Sequence, residues 1–346
     1  MKIAVGLSGG VDSSVCAALL KEEGHEVIGI TMKLWREGRY KGGSKDACFG
    51  PGEVEDIECA EALCHQLGIE YHVFDCADEY EKVVLDYFRT EYLAGKTPNP
   101  CVRCNAFMKF GVLPLLARNQ GLEFEKFATG HYARIREHDG VFHLLRGVDD
   151  AKDQSYFLYR LNQSQLSHLL FPLGGFHKHD VRAMAEKFGL SMKDKPDSQD
   201  FYSGDHAELL KTAERIGNIV DTAGNVLGTH RGFWNYTIGQ RRGLGVASSH
   251  PLYVIDINAC RNEVVVGPVE ETLRHEVVLT DCRWIAESPS GDVEAKIRSA
   301  SPLRPAIYSD GLLTFPDGVT AAARGQSAVL YRDDEVLGGG IIAEAR

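Results

Sequence analysis

The sequence predicts a doubly wound α/β fold with a parallel sheet, followed by a small central β-rich domain and a C-terminal β-barrel. Three observations carry that expectation. The first 135 residues alternate short apolar runs with helical patterns, as βαβ units do. From about Gly217 onward, short β runs follow one another between Gly, Asn and Asp. A chain of 346 residues is also longer than one core comfortably holds, so two or three domains are expected.

The elements follow in order. Ile3–Leu7 is an apolar strand that ends in a glycine loop, and Asp12–Glu23 is helical up to Gly24. Glu26–Leu34 is β-rich, Val54–Leu67 is helical and stops at Gly68, and Ile69–Phe74 is a strand. Glu79–Leu93 and Asn105–Asn119 are helical, with Lys126–Thr129 a further short strand. Glycine after a helix supplies the left-handed stop. Tyr132–Arg136 and Val141–Arg146 flank His138-Asp139-Gly140, a hairpin signal. Gln163–Leu170 and His179–Phe188 read as helices. The later strands are Ile219–Asp221, Tyr253–Ile257, Glu263–Val266, Val277–Leu279, Val293–Ile297, Leu312–Phe315, Ser327–Tyr331 and Val336–Ile342. Expected boundaries are residues 1–205, 206–275 and 276–346.

Composition narrows the classes. The chain is 44% hydrophobic and 25% charged, which excludes a disordered or fibrous protein. No run approaches a membrane span, and the N-terminal apolar stretch is too short for a signal peptide. With nine cysteines and no export signal, a reducing, cytoplasmic setting is expected, where thiols act as catalysts or ligands. The net charge is −11, but residues 53–91 alone carry twelve acids against two bases. Residues 226–262 carry four Arg, two His and one Asp, so a polyanion could dock there while the acidic helices face away.

Ser8-Gly9-Gly10-Val11-Asp12-Ser13-Ser14 joins the first strand to the first helix. A helix N-terminus offers unpaired N–H groups and a partial positive charge, a natural anion site. Gly9 and Gly10 allow close approach, and Ser8, Ser13 and Ser14 add hydroxyls. No Gly-Lys-Ser/Thr follows, so this is no Walker A loop, and G-x-G-x-x-G is absent as well. The string resembles the PP-loop of ATP pyrophosphatases, which cleave ATP between the α and β phosphates. Asp12 would organise the loop or bind Mg²⁺ through water.

Thr97-Pro98-Asn99-Pro100-Cys101-Val102-Arg103-Cys104-Asn105 lies between two helices. The prolines are expected to exclude helix before Cys101, placing Cys104 near a helix N-terminus beside Arg103, both of which would lower its pKa. This C-x-x-C fits a dithiol or iron–sulfur ligands better than zinc, since no second pair stands at matching spacing. Cys48 lies in the glycine-rich loop Gly42–Gly52, past the second strand, where doubly wound sheets bind ligands. Of the others, Cys16, Cys59, Cys64, Cys76, Cys260 and Cys282, most read as small buried hydrophobes.

Together these residues resemble the bacterial tRNA-specific 2-thiouridylases, PP-loop enzymes that place sulfur on C2 of the wobble uridine. The likeness runs nearly end to end. It includes Met32-Lys33, Ala128-Thr129-Gly130-His131-Tyr132-Ala133-Arg134, Leu145–Asp149, Lys152–Phe157, Asp197-Ser198-Gln199, Tyr236–Gly245 and Gly338-Gly339-Gly340. The resemblance implies that Gly6, Leu7, Ser8, Gly9, Gly10, Val11, Asp12, Ser13, Met32 and Gly130 hold ATP. It makes Cys104 the nucleophile and sets Asn99, Pro100 and Cys101 beside the target base. His131, Lys152, Asp153, Gln154 and Gln326 would contact tRNA, with Arg241 and Arg242 as phosphate contacts.

One departure matters: the usual enzyme has a second cysteine after Asp-Ser-Gln, and the aligned residue here is Tyr202. A phenol cannot carry a sulfane sulfur. Two routes then remain. Cys48, Cys101 and Cys104 hold a 4Fe–4S cluster with one open iron, or Cys101 replaces the missing thiol as partner of Cys104. The implied reaction is ATP-dependent adenylation of uridine O2, then sulfur transfer to C2 with release of AMP and diphosphate. The sulfur would come from a cysteine desulfurase, a relay protein or sulfide. Competing readings are another PP-loop adenylating ligase and a non-catalytic RNA-binding or iron–sulfur scaffold.

Overall fold

Alternate residues of the first strand point into opposite cores, and this sets the architecture. A computed structural model describes residues 1–42, 47–190 and 201–346. In β1 (Lys2–Gly6), Ile3 and Val5 face one core and Ala4 the other, the period-two pattern of a strand covered on both sides. β1 pairs in parallel with β2 (Glu26–Lys33) and β4 (Lys126–Thr129). β3 (Glu70–Asp75) extends the sheet beyond β2. The chain order reverses between β1 and β4, and in such sheets the crevice beyond the carboxyl ends of those two strands is the binding edge.

Helices Val11–Glu22, Glu53–Leu67 and Lys178–Lys187 cover one face through Val15, Leu20, Ala60, Leu63, Val181 and Ala185. The other face is covered by two longer helical runs, residues 77–93 and 100–119, through Val84, Phe88, Met108 and Phe110. Each of the buried Val, Leu, Phe and Met side chains contributes roughly 1.5–3 kcal/mol by leaving water. Both runs contain a wide π-helical stretch, Glu81–Leu85 in the first and Cys104–Val112 in the second.

Gln163–Leu170, expected as one helix, divides. Gln163–Leu166 is a single capped turn, and Leu169–Leu170 forms β7, a parallel neighbour of β4. A two-residue strand leaves too short an apolar run to be told from helix by periodicity.

The hairpin of β5 (Ala133–His138) and β6 (Val141–Arg146) turns at Asp139-Gly140, both at positive φ. Its outer edge does not join the parallel sheet. β6 pairs with β17 (Glu335–Ala345) of the barrel, and Arg134 binds Asp334 at 2.6 Å while His143 meets Glu335 at 2.7 Å.

The central sheet runs β10 (Tyr253–Asn258), β11 (Glu263–Gly267), β8 (Gly217–Asp221), β9 (Val226–His230). The C-terminal barrel is closed by six antiparallel strands: β12 (Leu273–Trp284), β13 (Gly291–Lys296), β14 (Arg304–Ser309), β15 (Leu312–Thr320), β16 (Ser327–Arg332) and β17. Val293/Ala295, Ala306/Tyr308, Leu313/Phe315 and Ala328/Leu330 alternate into its interior. Val329 and Tyr331, on the opposite face of β16, pack into the core shared with the first sheet. β9 and β14 add to the strands read from sequence; in β14, Pro305 interrupts the β pattern yet still sits opposite Glu294.

Candidate functional site

The glycine loop leaves β1 at the crevice and enters the helix Val11–Glu22. Gly10 is the N-cap and no side chain caps the helix, so its first amides are open to an anion. Gly9 takes φ +67°, and a Cβ there would lie 2.4 Å from the Asp56 carbonyl oxygen; only glycine fits. The serines divide their work. Ser13 and Ser14 donate to the Gly10 carbonyl at 3.1 and 2.8 Å, and Ser13 Oγ accepts from Ser8 N–H at 3.2 Å. Ser13 and Ser14 therefore brace the loop rather than offering their protons to a ligand, as the sequence suggested they would. Gly6 and Leu7 lie on the strand side, with Leu7 O accepting from Thr31 Oγ1 at 2.9 Å, and Met32 is half-buried in β2.

Asp12 stands in the first helical turn. Both of its oxygens accept from Lys178 Nζ at 2.8 Å, and Oδ1 also accepts from the Tyr132 hydroxyl at 2.9 Å. Tied to Lys178 and Tyr132, this carboxylate organises the loop. Lys178 is 8% exposed and lies 166 residues from Asp12 in sequence, so the loop motif alone gives no sign of it. The neighbouring crossover leaves β4 at Gly130, where a Cβ would meet Asp12 C at 2.7 Å and Ser13 N at 2.8 Å. Gly130 thus lets the two crossovers touch.

His131 comes next. Its ring packs against Phe110 and Phe171, with centroids 5.5 and 5.8 Å away, and Nδ1 hydrogen-bonds the Thr129 hydroxyl at 2.7 Å. Burial holds its pKa well below the usual imidazole value. It is neutral at physiological pH and brings no positive charge to RNA.

The Cys101–Cys104 segment differs from expectation. Pro100 does not exclude helix but opens it at the first position, where its missing N–H costs nothing. Asn99 is the N-cap, its side chain accepting from Val102 N at 3.2 Å. Cys101 and Cys104 therefore lie three apart in one helical run and share a face. Arg103 turns to Val83, whose carbonyl it meets at 2.5 Å, and lies over the Tyr87 and Phe107 rings at 4.4 and 5.1 Å. The Cys104 thiol is not acidified: burial pushes its pKa up to about 11, with Lys109 pulling it down and Cys48 adding to the rise. Burial outweighs the helix terminus.

Cys48 is exposed, and Cys48, Cys101 and Cys104 all bear electrostatically on the buried hydroxyl of Tyr80. Among the described residues, however, no three His, Cys, Asp or Glu side chains converge as metal ligands. The arrangement does not fit a three-cysteine cluster.

The remaining expected contacts fall into two groups. Asp153 is turned inward: Oδ1 accepts from Gly147 N and Ser155 N, both at 3.1 Å, and the side chain is 1% exposed. Gln154 Oε1 accepts from Tyr132 N at 3.0 Å, holding the residue that holds Asp12. Gln326 Nε2 donates to the Thr97 carbonyl at 3.1 Å. Each of these three side chains holds a partner within the protein, which the motifs could not show. Lys152 is half-buried, whereas Arg241 and Arg242 are exposed, and Arg241 helps line a groove of about 270 Å³ with Leu244, Val246 and His250. Tyr202 packs beside Phe49 at 6.1 Å and donates to Glu208; burial pushes its phenol up, so it stays protonated. Asp197, Ser198 and Gln199 lie outside the described residues.

Three families cover the chain in order. The tRNA methyl transferase HUP domain matches residues 1–202, the tRNA methyl transferase PRC-barrel domain 209–268, and the aminomethyltransferase beta-barrel domain 274–342. A tRNA-specific 2-thiouridylase MnmA of Endomicrobium trichonymphae is 46% identical over 99% of both chains. Its namesake in Geobacter metallireducens is 44% identical over 99% of this chain and 97% of its own. That of Clostridium perfringens is 44% identical over 99% and 98%. Likeness of this extent, across all three domains, places the chain in the tRNA-specific 2-thiouridylase family.

Proposed function

We propose that this protein adenylates O2 of the wobble uridine in tRNA and replaces it with sulfur, using Cys104 as sulfur carrier and Cys101 as its dithiol partner. One observation carries the reading. Gly130 packs against Asp12 and Ser13 of the phosphate loop, and the adjacent His131 packs on Phe110 of the Cys101–Cys104 helix. Adjacent residues of one crossover thus link the phosphate loop to the helical run that carries the two thiols.

ATP lies with its phosphates on the open amides of the loop. The uridine is flipped from the anticodon stack, because its O2 must reach the α-phosphorus. O2 attacks that phosphorus, the bond to the bridging oxygen breaks, diphosphate leaves with the electron pair, and the N3 proton passes to solvent. A donor persulfide, from a cysteine desulfurase or relay protein, hands its outer sulfur to Cys104. That sulfur attacks C2 and AMP departs. The Cys101 thiolate then attacks the Cys104 sulfur, releasing 2-thiouridine and closing a Cys101–Cys104 disulfide, which an external dithiol reduces. The helical spacing of the two residues supports that last step.

Purified protein incubated with tRNA, ATP, a persulfide donor and a dithiol should form AMP and 2-thiouridine in equal amounts. Cys104→Ala should abolish 2-thiouridine while ATP binding persists. Absence of AMP with the wild-type protein would defeat the reading. Iron and acid-labile sulfide in anaerobically purified protein would defeat the dithiol route.

A further inference from the structure

The glycine loop lacks the lysine with which many phosphate-binding loops neutralise a triphosphate. The fold brings one from another element. Lys178 is the first residue of helix Lys178–Lys187, and its backbone N–H is anchored by Asp149 Oδ2 at 2.9 Å. From there its side chain crosses to the N-terminus of helix Val11–Glu22 and holds both Asp12 oxygens at 2.8 Å, with the Tyr132 ring 5.8 Å from Nζ. The pair is expensive to maintain, because both charges are largely withdrawn from water. It also sits where charge accumulates in the proposed reaction: diphosphate leaves carrying the electron pair of the broken phosphoanhydride bond. A fixed cation beside developing negative charge stabilises the transition state more than the ground state.

We propose that Lys178 is a catalytic residue of adenylation: when ATP occupies the loop, its ammonium bridges Asp12 and the phosphate oxygens and stabilises the departing diphosphate. Asp12 holds the lysine extended, and Tyr132, itself fixed by Gln154, steers the carboxylate. The inference rests on the ATP-dependent reading above and adds to it the source of positive charge.

The test compares full-length wild type, Lys178→Gln, Lys178→Arg and the double variant Asp12→Asn/Lys178→Gln, measuring binding of ATP and of adenosine, and AMP formation with tRNA. Lys178→Gln should weaken ATP at least tenfold, leave adenosine affinity unchanged, and lower AMP formation at saturating ATP at least a hundredfold. Retained adenosine binding shows that the variant is folded. Lys178→Arg should recover part of the ATP affinity. The double variant replaces the ion pair by two amides able to hydrogen-bond each other, and should stay as impaired as Lys178→Gln. Wild-type AMP formation in Lys178→Gln, or recovery in the double variant, would overturn the proposal, since the lysine would then serve only to neutralise Asp12. If Lys178→Gln does not fold, the folded double variant decides: AMP formation at least a hundredfold below wild type with adenosine affinity unchanged supports the proposal, and wild-type AMP formation overturns it. Wild-type protein that binds no ATP would fail the underlying reading instead.

Discussion

The side-chain amide of Gln326, in the barrel, donates to the carbonyl of Thr97 at 3.1 Å, two residues before the N-cap of the helix that carries Cys101 and Cys104. Arg324 reinforces the join: its carbonyl accepts from Thr97 N at 2.7 Å, and its guanidinium binds Asp256 of the central sheet at 2.6 Å. The thiol helix is thus hung from the two C-terminal domains. Gln326→Ala should leave tRNA affinity within twofold of wild type and lower turnover about tenfold, the scale of one hydrogen bond. A rise in tRNA Kd at unchanged turnover would make Gln326 an RNA contact instead.

Because burial pushes Cys104 up to about 11, its thiol is protonated at neutral pH. The thiolate is the reactive form, so alkylation of Cys104 by iodoacetamide should be slow at pH 7 and rise about tenfold per pH unit up to pH 10. Mass-spectrometric mapping of the modified peptide checks this. A rate already on its plateau at pH 8 would show an acidic thiol.

Gly130→Ala places a methyl group 2.7 Å from the Asp12 main chain, where no flexible side chain can yield. Overpacking of this kind costs about 1–3 kcal/mol and shifts the loop. The variant should melt modestly below wild type and bind ATP at least tenfold more weakly, as calorimetry would read.

Restoring a cysteine at position 202 should not restore a persulfide relay. Tyr202 fills a core site beside Phe49 and is tied to Glu208. Tyr202→Cys leaves a cavity and removes one partner of Glu208, whose other oxygen keeps the Lys41 amide, a loss on the order of 3 kcal/mol. Thermal unfolding should drop by several degrees without any gain in 2-thiouridine.

Local signals made much of the fold legible. Strand β1, its glycine loop and the following helix are written in consecutive residues, and the Asp139-Gly140 turn announces its hairpin. What escaped depends on distant contacts. Lys178 reaches Asp12 across 166 residues, and only the folded chain shows Asp153 and Gln154 turned inward. The Cys104 pKa went the opposite way from expectation because helix position is a local property and burial is not. Pro100 was misread for a related reason: proline ends helices when inside them and begins them at their first position.

The hairpin Ala133–Arg146 grows out of the N-terminal domain yet completes its pairing on β17, close to the C-terminus. Removing the last seventy residues would strip that ribbon of its neighbour and leave a raw, sticky edge exposed in the remainder. Deletion of the barrel should therefore yield aggregates rather than a minimal enzyme, and heating the intact chain should melt both ends in a single cooperative step.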